Sequence, residues 1–270
     1  MSKKVVLITG VSSGFGHAIA SYLASKNYAV YGTVRREVYP IDGVHFLTMD
    51  VTDRKSVFDA VEQLIQREGK IDFLINNAGM GIGGAVEQFS LQEIELQMRT
   101  NFIGYVNTIH AVLPHMRKRK RGKIINISSL GGIMGLPYQG FYSASKFAVE
   151  GLSEALSLEL IPYNIQVVVV RPGDFHTHFT QNRKLVQVHT NANDPYHEQL
   201  KRTVAVIESD EQKGLPPRYL AHKIEKILRK KHPKFSYIVA SPEQRLAVLL
   251  KRILPQRWFF KILASHYKIN

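Results

Sequence analysis

Short runs of β-branched and other apolar residues alternate along the chain with longer stretches whose apolar positions recur every three or four residues. Val5–Thr9, Ala29–Val34, Val44–Met49, Ile71–Ile75, Lys123–Ser128, Ile165–Val170 and Phe235–Ala240 carry the strand pattern. Gly16–Lys26, Val57–Glu68, Leu91–Lys118 and Ser143–Leu160 carry helical spacing between them. Strands alternating with helices are joined by parallel crossovers, which predicts an α/β architecture with a sheet covered on both faces. No repeat, low-complexity tract or Gly/Ser linker interrupts residues 1–270, so one domain is expected. Residues 177–217 are polar, weakly periodic and rich in His, Asn and Gln, the pattern of an insertion over a substrate site.

Composition narrows the class. At 44% hydrophobic and 21% charged the chain is ordinary for a globular protein, which sets disorder aside. With no cysteine there is no disulfide, thiolate nucleophile or cysteine-held metal, and no metal site is expected. The composition fits a reducing cytosol, and a cytoplasmic location is expected. Lys3 and Lys4 precede an apolar run, Val5–Ile8, that is too short for a signal-peptide core. No apolar stretch approaches the roughly 18 residues of a membrane span. A net charge of +14 favours anionic partners: nucleic acid, acidic lipid or a phosphorylated ligand.

The first strand runs into Thr9-Gly-Val-Ser-Ser-Gly-Phe-Gly16 and then a helix. Glycines at 10, 14 and 16 permit a tight turn, close approach of backbone to a pyrophosphate, and helix-on-sheet packing at the positive helix end. Gly10, Ser12, Ser13, Gly14, Phe15 and Gly16 are therefore candidate cofactor-binding residues; the bland alternative is a flexible turn. The second strand ends in Val34-Arg35-Arg36, with no acid before Glu37 to take ribose hydroxyls. Arginines there suit the 2′-phosphate of NADP(H), and one charge-assisted bond of about 1.5–3 kcal/mol gives roughly 10- to 150-fold preference. NAD(H) stays open, since Arg35 and Arg36 are also ordinary solvated loop residues. Asp50, with Val51 beside it, follows the third strand and is placed to accept from an adenine amino group. A helix N-cap is the alternative, a role that Thr52 or Asp53 fills equally well. Asn76-Asn77-Ala78-Gly79 follows the fourth strand, as backbone against the adenosine half, as a structural turn, or as both.

Tyr142 and Lys146 are one helical turn apart, which places phenol and ammonium on one face. Free tyrosine, with a pKa near 10, is a poor base at neutral pH; a neighbouring cation is expected to lower it. Ser129 ends the fifth strand, where its hydroxyl faces the crevice and can hold a substrate oxygen. Asn101 falls in the middle of a long helical pattern, which predicts a kink or a bound water. After the sixth strand, Pro172, Gly173 and Thr177 are placed near the cofactor, Thr177 toward a carboxamide or pyrophosphate.

Together these motifs resemble those of the short-chain dehydrogenase/reductase family: Thr9-Gly-x-x-x-Gly-x-Gly16, Asn76-Asn-Ala-Gly79, Asn101, Ser129, Tyr142-x-x-x-Lys146 and Pro172-Gly-x-x-x-Thr177. The resemblance covers about residues 3–177 plus the last strand. It implies a Rossmann-type, doubly wound, seven-stranded parallel sheet in the order 3-2-1-4-5-6-7. It also implies a catalytic tetrad of Ser129, Tyr142, Lys146 and Asn101, with Asn101 holding a water in a proton relay through Lys146. Ser129–Pro137 through Tyr142, and Lys146–Gly151, are similar to the 17β-hydroxysteroid and retinol dehydrogenase branch. The expected activity is NADP(H)-dependent interconversion of an alcohol and its carbonyl on a lipophilic substrate of steroid, retinoid or long-chain ketolipid type. The family implies a homo-oligomer, a dimer or tetramer. An NAD-dependent dehydrogenase and a non-catalytic cofactor-binding regulator are the alternatives.

Two basic features remain. Arg117-Lys-Arg-Lys-Arg121 ends a helix, where the dipole favours cations, at the opposite sheet edge from the cofactor. No nucleic-acid reader motif accompanies it, so nucleic acid is not an expected partner. In the tail, about 242–270, Leu246–Leu254 and Trp258–Tyr267 mix large apolar residues with Lys251, Arg252, Arg257 and Lys261. That mixture describes a helix lying on a membrane surface; packing on the protein's own core or on a partner subunit is the alternative.

Overall fold

The computed structural model describes residues 3–177, 179–186 and 193–269. In chain order the strands are β1 (Lys4–Ile8), β2 (Tyr28–Val34), β3 (Val44–Thr48), β4 (Phe73–Asn76), β5 (Ile82–Gly83), β6 (Gly122–Ile127), β7 (Ile165–Pro172), β8 (Lys184–Leu185) and β9 (Ser236–Val239). The helices are α1 (Gly14–Ala24), α2 (Arg54–Glu68), α3 (Leu91–Met98), α4 (Gly104–Lys118), α5 (Gly140–Glu159), α6 (Phe179–Asn182), α7 (His197–Gln212), α8 (Pro217–Arg229), α9 (Pro242–Ile253) and α10 (Gln256–His266). Seven strands form one parallel sheet, β3-β2-β1-β4-β6-β7-β9. This is the expected order, because β5 and β8 are two-residue pieces that pair only with each other.

Strand alternation divides the core. Val6 and Ile8 of β1 pack with Ile19 and Leu23 of α1 and Leu220 and Ile224 of α8. Val5 and Leu7 face the other way, onto Val57 and Leu64 of α2 and Val112 of α4. These four of the five β1 side chains are fully buried, each contributing about 1.5–3 kcal/mol of transfer free energy. Local signals set the helix ends. Asp53 caps α2 by accepting from the Lys55 and Ser56 amides, and Gly69 closes it at φ 67°. Ser90 with Glu93, and Ser241 with Gln244, form reciprocal capping boxes on α3 and α9.

The continuous helix expected over Leu91–Lys118 is instead α3, a π-helical turn at Arg99–Ile103, and α4. Asn101 lies in that turn, so the helix departs from α-helical geometry at the residue where a kink or a bound water is expected. Its carboxamide accepts from the Met80 amide at 2.8 Å and donates to the Met80 carbonyl at 2.9 Å. These bonds hold the helix backbone to the segment after β4. The stretch expected to be an irregular insertion contains α6, β8 and the sixteen-residue α7. Only Leu200, Thr203 and Ile207 of α7 are buried, which explains its weak periodicity. Residues 178 and 187–192 of that stretch lie outside the described residues. Within the basic run, Arg119 pairs with Asp72 at 3.0 Å and donates to the Ile71 carbonyl, and the run lines no part of the cleft described below.

Candidate active site

The carboxyl ends of β1, β2, β4, β6 and β7 open into one cleft of about 1050 Å³. At one end the backbone turns sharply after β1, with Gly10 at φ 70° and Gly14 at φ 57°, conformations natural to glycine. A Cβ on Gly16 would stand 2.1 Å from the Gly10 carbonyl oxygen, so only glycine lets α1 start this close to β1. Over Gly14 the nearest atom to a Cβ would be Thr177 Cβ at 3.8 Å, leaving room at the helix terminus. Thr33 Oγ1 accepts from the Gly10 amide, and Thr9 Oγ1 accepts from the Asn77 and Ala78 amides at 2.9 Å. Asn77 donates to the Thr9 and Gly10 carbonyls at 2.9 and 3.0 Å. These braces join the turn to the end of β4.

Of the residues expected to hold a cofactor, Gly10, Ser12, Ser13, Gly14, Phe15, Arg35, Arg36, Asp50, Val51, Asn77, Ala78, Gly79, Tyr142, Lys146, Pro172, Gly173 and Thr177 line this cleft. Gly16 lies beneath the turn as a packing residue. Arg35 and Arg36 are exposed at its rim. Asp50 does not cap α2; its carboxylate accepts from the Thr52 amide and hydroxyl at 2.8 Å. Asn76 turns away from the cleft, where its amide donates to Asn126 and its oxygen accepts from Thr108. The 76–79 turn is therefore both a brace and a lining. Ser128 lines the cleft with its hydroxyl buried and unpartnered among the described residues. Open space at a helix terminus, a glycine cradle and an orphaned hydroxyl fit a phosphate-bearing dinucleotide.

At the other end β6 delivers Ser129, and the first turns of α5 deliver Tyr142 and Lys146. The Ser129 hydroxyl accepts from the Gly131 amide at 3.0 Å and hydrogen-bonds to the Tyr142 phenol. Lys146 Nζ donates to the Ile127 carbonyl at 2.9 Å, and the Tyr105 hydroxyl donates to the same oxygen at 3.0 Å. Burial pushes the Lys146 ammonium down to about 8, with the Glu150 carboxylate working against it. The pKa expected for Tyr142 requires correction. Burial raises the phenol above its ordinary value, the Ser129 hydrogen bond works to lower it, and Glu211 adds to the rise. Lys146 lies 5.9 Å from the centre of the Tyr142 ring and does not overcome the desolvation. Asn101 is fully buried behind Met80, and its second amide hydrogen goes to Ser145 Oγ.

Beyond Tyr142 the cleft is walled by Phe179, Ile207, Tyr267 and three acids, Asp174, Asp210 and Glu211. Arg183 pairs with Glu211, and His266 lies 2.9 Å from Asp210. Among the described residues Asp174 pairs with no cation; its carboxylate accepts from the Gln244 side-chain amide, and its backbone amide donates to the Gln244 oxygen. Burial first, then Glu211 and Asp210, pushes its carboxyl up to about 6. Sequence reasoning misses this wall because its members come from β7's exit, α7 and the chain end. Asp174 falls on an unspecified position of the Pro172-Gly-x-x-x-Thr177 pattern.

The short chain dehydrogenase profile matches residues 4–187. The chain belongs to that family. Over all 270 residues of both chains it is 50% identical to a 3-ketodihydrosphingosine reductase of Bacteroides thetaiotaomicron. It is 32% identical to an NADPH-dependent 3-dehydrocapnine reductase of Ornithobacterium rhinotracheale, over 98% of each chain. A crystal structure of a short-chain dehydrogenase from Streptomyces avermitilis superposes with a TM-score of 0.80 at 29% identity, covering 93% of this chain and 96% of that one. Within the family, the chain also resembles 17β-hydroxysteroid and retinol dehydrogenases. It is an oxidoreductase with a fold that binds NAD(P)(H).

Proposed function

We propose that this short-chain dehydrogenase uses NADPH to reduce the keto group of a long-chain amino ketone of the ketodihydrosphingosine type. One observation carries the reading: a single cleft joins Arg35 and Arg36, the Ser129–Tyr142–Lys146 cluster, and the acids Asp174, Asp210 and Glu211. Arginines at the first end suit a 2′-phosphate. Acids at the far end suit a protonated amine, and the apolar walls Phe179 and Ile207 suit an alkyl chain. Ketodihydrosphingosine is a long-chain amino ketone, and the reductase that bears its name is 50% identical over the full length. A steroid or retinoid, the other lipophilic classes of the branch, offers no cation to the acidic wall.

The turn after β1 and the Asn77–Gly79 backbone would hold the dinucleotide, Arg35 and Arg36 its adenosine phosphate, and Thr177 its carboxamide end. NADPH, when bound there, would supply the hydride for the carbonyl carbon. Ser129 Oγ and Tyr142 Oη hydrogen-bond the carbonyl oxygen, and the Tyr142 proton moves to that oxygen as the C–H bond forms. The product is the alcohol, and Tyr142 is left as phenolate. Its burial-raised pKa makes the phenol ready for the return of the proton and keeps it protonated at neutral pH, the form that reduction requires. Lys146, fixed by Ile127 and Tyr105, stabilises the transient phenolate and passes the replacement proton. Asn101 positions this relay: a Cβ on Gly79 would lie 3.3 Å from Asn101 Oδ1 and 3.8 Å from Lys146 Nζ, so both groups border one small space.

The test is NADPH consumption with ketodihydrosphingosine, a neutral ketone of equal chain length, a keto-steroid and a retinal. Turnover confined to the last two would exclude the amino-ketone reading.

A further inference from the structure

The last two helices carry an outward face that the fold does not use. Val248 of α9 and Phe259 of α10 point inward, onto Leu130, Met134 and Ala240. On the other side of α9, Leu246, Leu249 and Ile253 are 53, 52 and 64% exposed. Their i, i+3, i+7 spacing places them on one helix face, with Arg245 and Arg252 exposed beside them. In α10, Trp258 and Phe260 are 58 and 54% exposed, to either side of the exposed pair Arg257 and Lys261. A helix packed on a core ordinarily turns its polar side to water. Here the inner side is already filled, and outward α9 shows an apolar face edged with cations while α10 shows a cationic stripe flanked by aromatic rings.

We propose that this face docks on the surface of an anionic lipid bilayer, with α9 and α10 lying in the interface. Trp258 and Phe260 are suited to headgroup depth, Leu246, Leu249 and Ile253 to the acyl boundary, and the flanking cations to lipid phosphates. Among the described residues no helix is long and apolar enough to cross a membrane, so the contact is along the surface. Charge chooses the bilayer over a second copy of the chain. From Pro242 to Tyr267 the tail holds one acid, Glu243, so two copies meeting on this face would oppose cation to cation. The opposite sides of the same helices reach the cleft. Gln244 of α9 bonds to Asp174, and Tyr267, which caps α10, lines the cleft itself. Docking therefore brings the two helices that border the active site onto the lipid, whichever lipophilic substrate is turned over.

Trp258 is the only tryptophan in the chain, so its emission reports this face directly. The full-length protein is titrated with phosphatidylglycerol vesicles and with phosphatidylcholine vesicles, following emission and co-sedimentation. The expected result is a blue shift and sedimentation with phosphatidylglycerol, and binding about tenfold or more weaker with phosphatidylcholine. Leu249→Asp with Ile253→Asp, both on the exposed side, should lose about tenfold or more of the vesicle binding while turnover of a water-soluble carbonyl is retained. Unchanged Trp258 emission with both vesicles overturns the proposal, as does undiminished binding by the double variant. A blue shift that grows with protein concentration in the absence of lipid assigns the face to a second copy and also overturns it.

Discussion

Lys146 Nζ donates to the Ile127 carbonyl oxygen at 2.9 Å, so the ammonium on α5 is fixed to the last residue of β6. Ser129 lies two residues farther along that strand's exit, and Tyr142 one turn earlier on the same helix. The contact thus ties together the two elements that carry the groups proposed to react. Spacing along the helix makes the Tyr142/Lys146 pair visible; a backbone carbonyl from a strand has no side-chain signature.

Burial holds Lys146 at about 8 against an ordinary value of 10.5. Below about 8 the ammonium is charged and supports the Tyr142 phenolate; above it the support is lost. For NADPH-driven reduction, kcat/KM should fall on the alkaline side with an apparent pKa near 8. A pH–rate profile checks this, and a rate flat to pH values beyond the ordinary lysine range would remove Lys146 from the relay. Since the folded pKa is depressed, burying the charge costs stability below about 8, and that cost fades as pH rises toward 10.5.

Arg35 and Arg36 line the end of the cleft proposed to hold the adenosine, with no acid beside them until Glu37. Arg35→Ala should weaken NADPH binding by roughly 10- to 150-fold and leave NADH binding nearly unchanged, the loss of one charge-assisted hydrogen bond. Calorimetric titration with both nucleotides measures it. Equal losses for the two would mean that the arginine does not read the phosphate.

Asp174 is held at about 6, above its ordinary 3.8, so the folded chain takes up a proton there that the unfolded chain does not. Its contribution to stability is therefore most favourable below the ordinary value and is lost as pH rises through about 6. Asp174→Asn should raise stability near neutral pH by about 1–3 kcal/mol, measured by denaturant unfolding. The same change should raise KM for an amino ketone about tenfold or more and leave KM for a neutral ketone of equal length alone. If both KM values move together, the acidic wall does not read an amine.

Most of the frame is legible in the sequence. The central strands β1, β6 and β7 are short apolar runs rich in β-branched residues and largely buried, and such runs read as strands without tertiary information. The cofactor turn is legible because Gly10, Gly14 and Gly16 answer a backbone requirement that no other residue meets. α7 is not, because three buried positions in sixteen residues give little periodicity. The rise in the Tyr142 pKa is hidden for a different reason: its ring is buried against distant parts of the chain such as Phe179 of α6, and that burial outweighs the nearby cation that sequence spacing suggests. The tail was readable as amphipathic, but only the packing of Val248 and Phe259 shows that the core takes one side and leaves the other apolar.

The central claim is that Tyr142 protonates the oxygen of a long-chain amino ketone as NADPH reduces it. The most direct measurement compares single-turnover NADPH oxidation by the native chain and by Tyr142→Phe, with ketodihydrosphingosine saturating and nucleotide binding measured separately. Rapid oxidation by the native chain is predicted, with a loss of about 10²- to 10⁴-fold or more in the variant and NADPH affinity nearly unchanged. Native-like oxidation by Tyr142→Phe, or none by the native chain, would contradict the account.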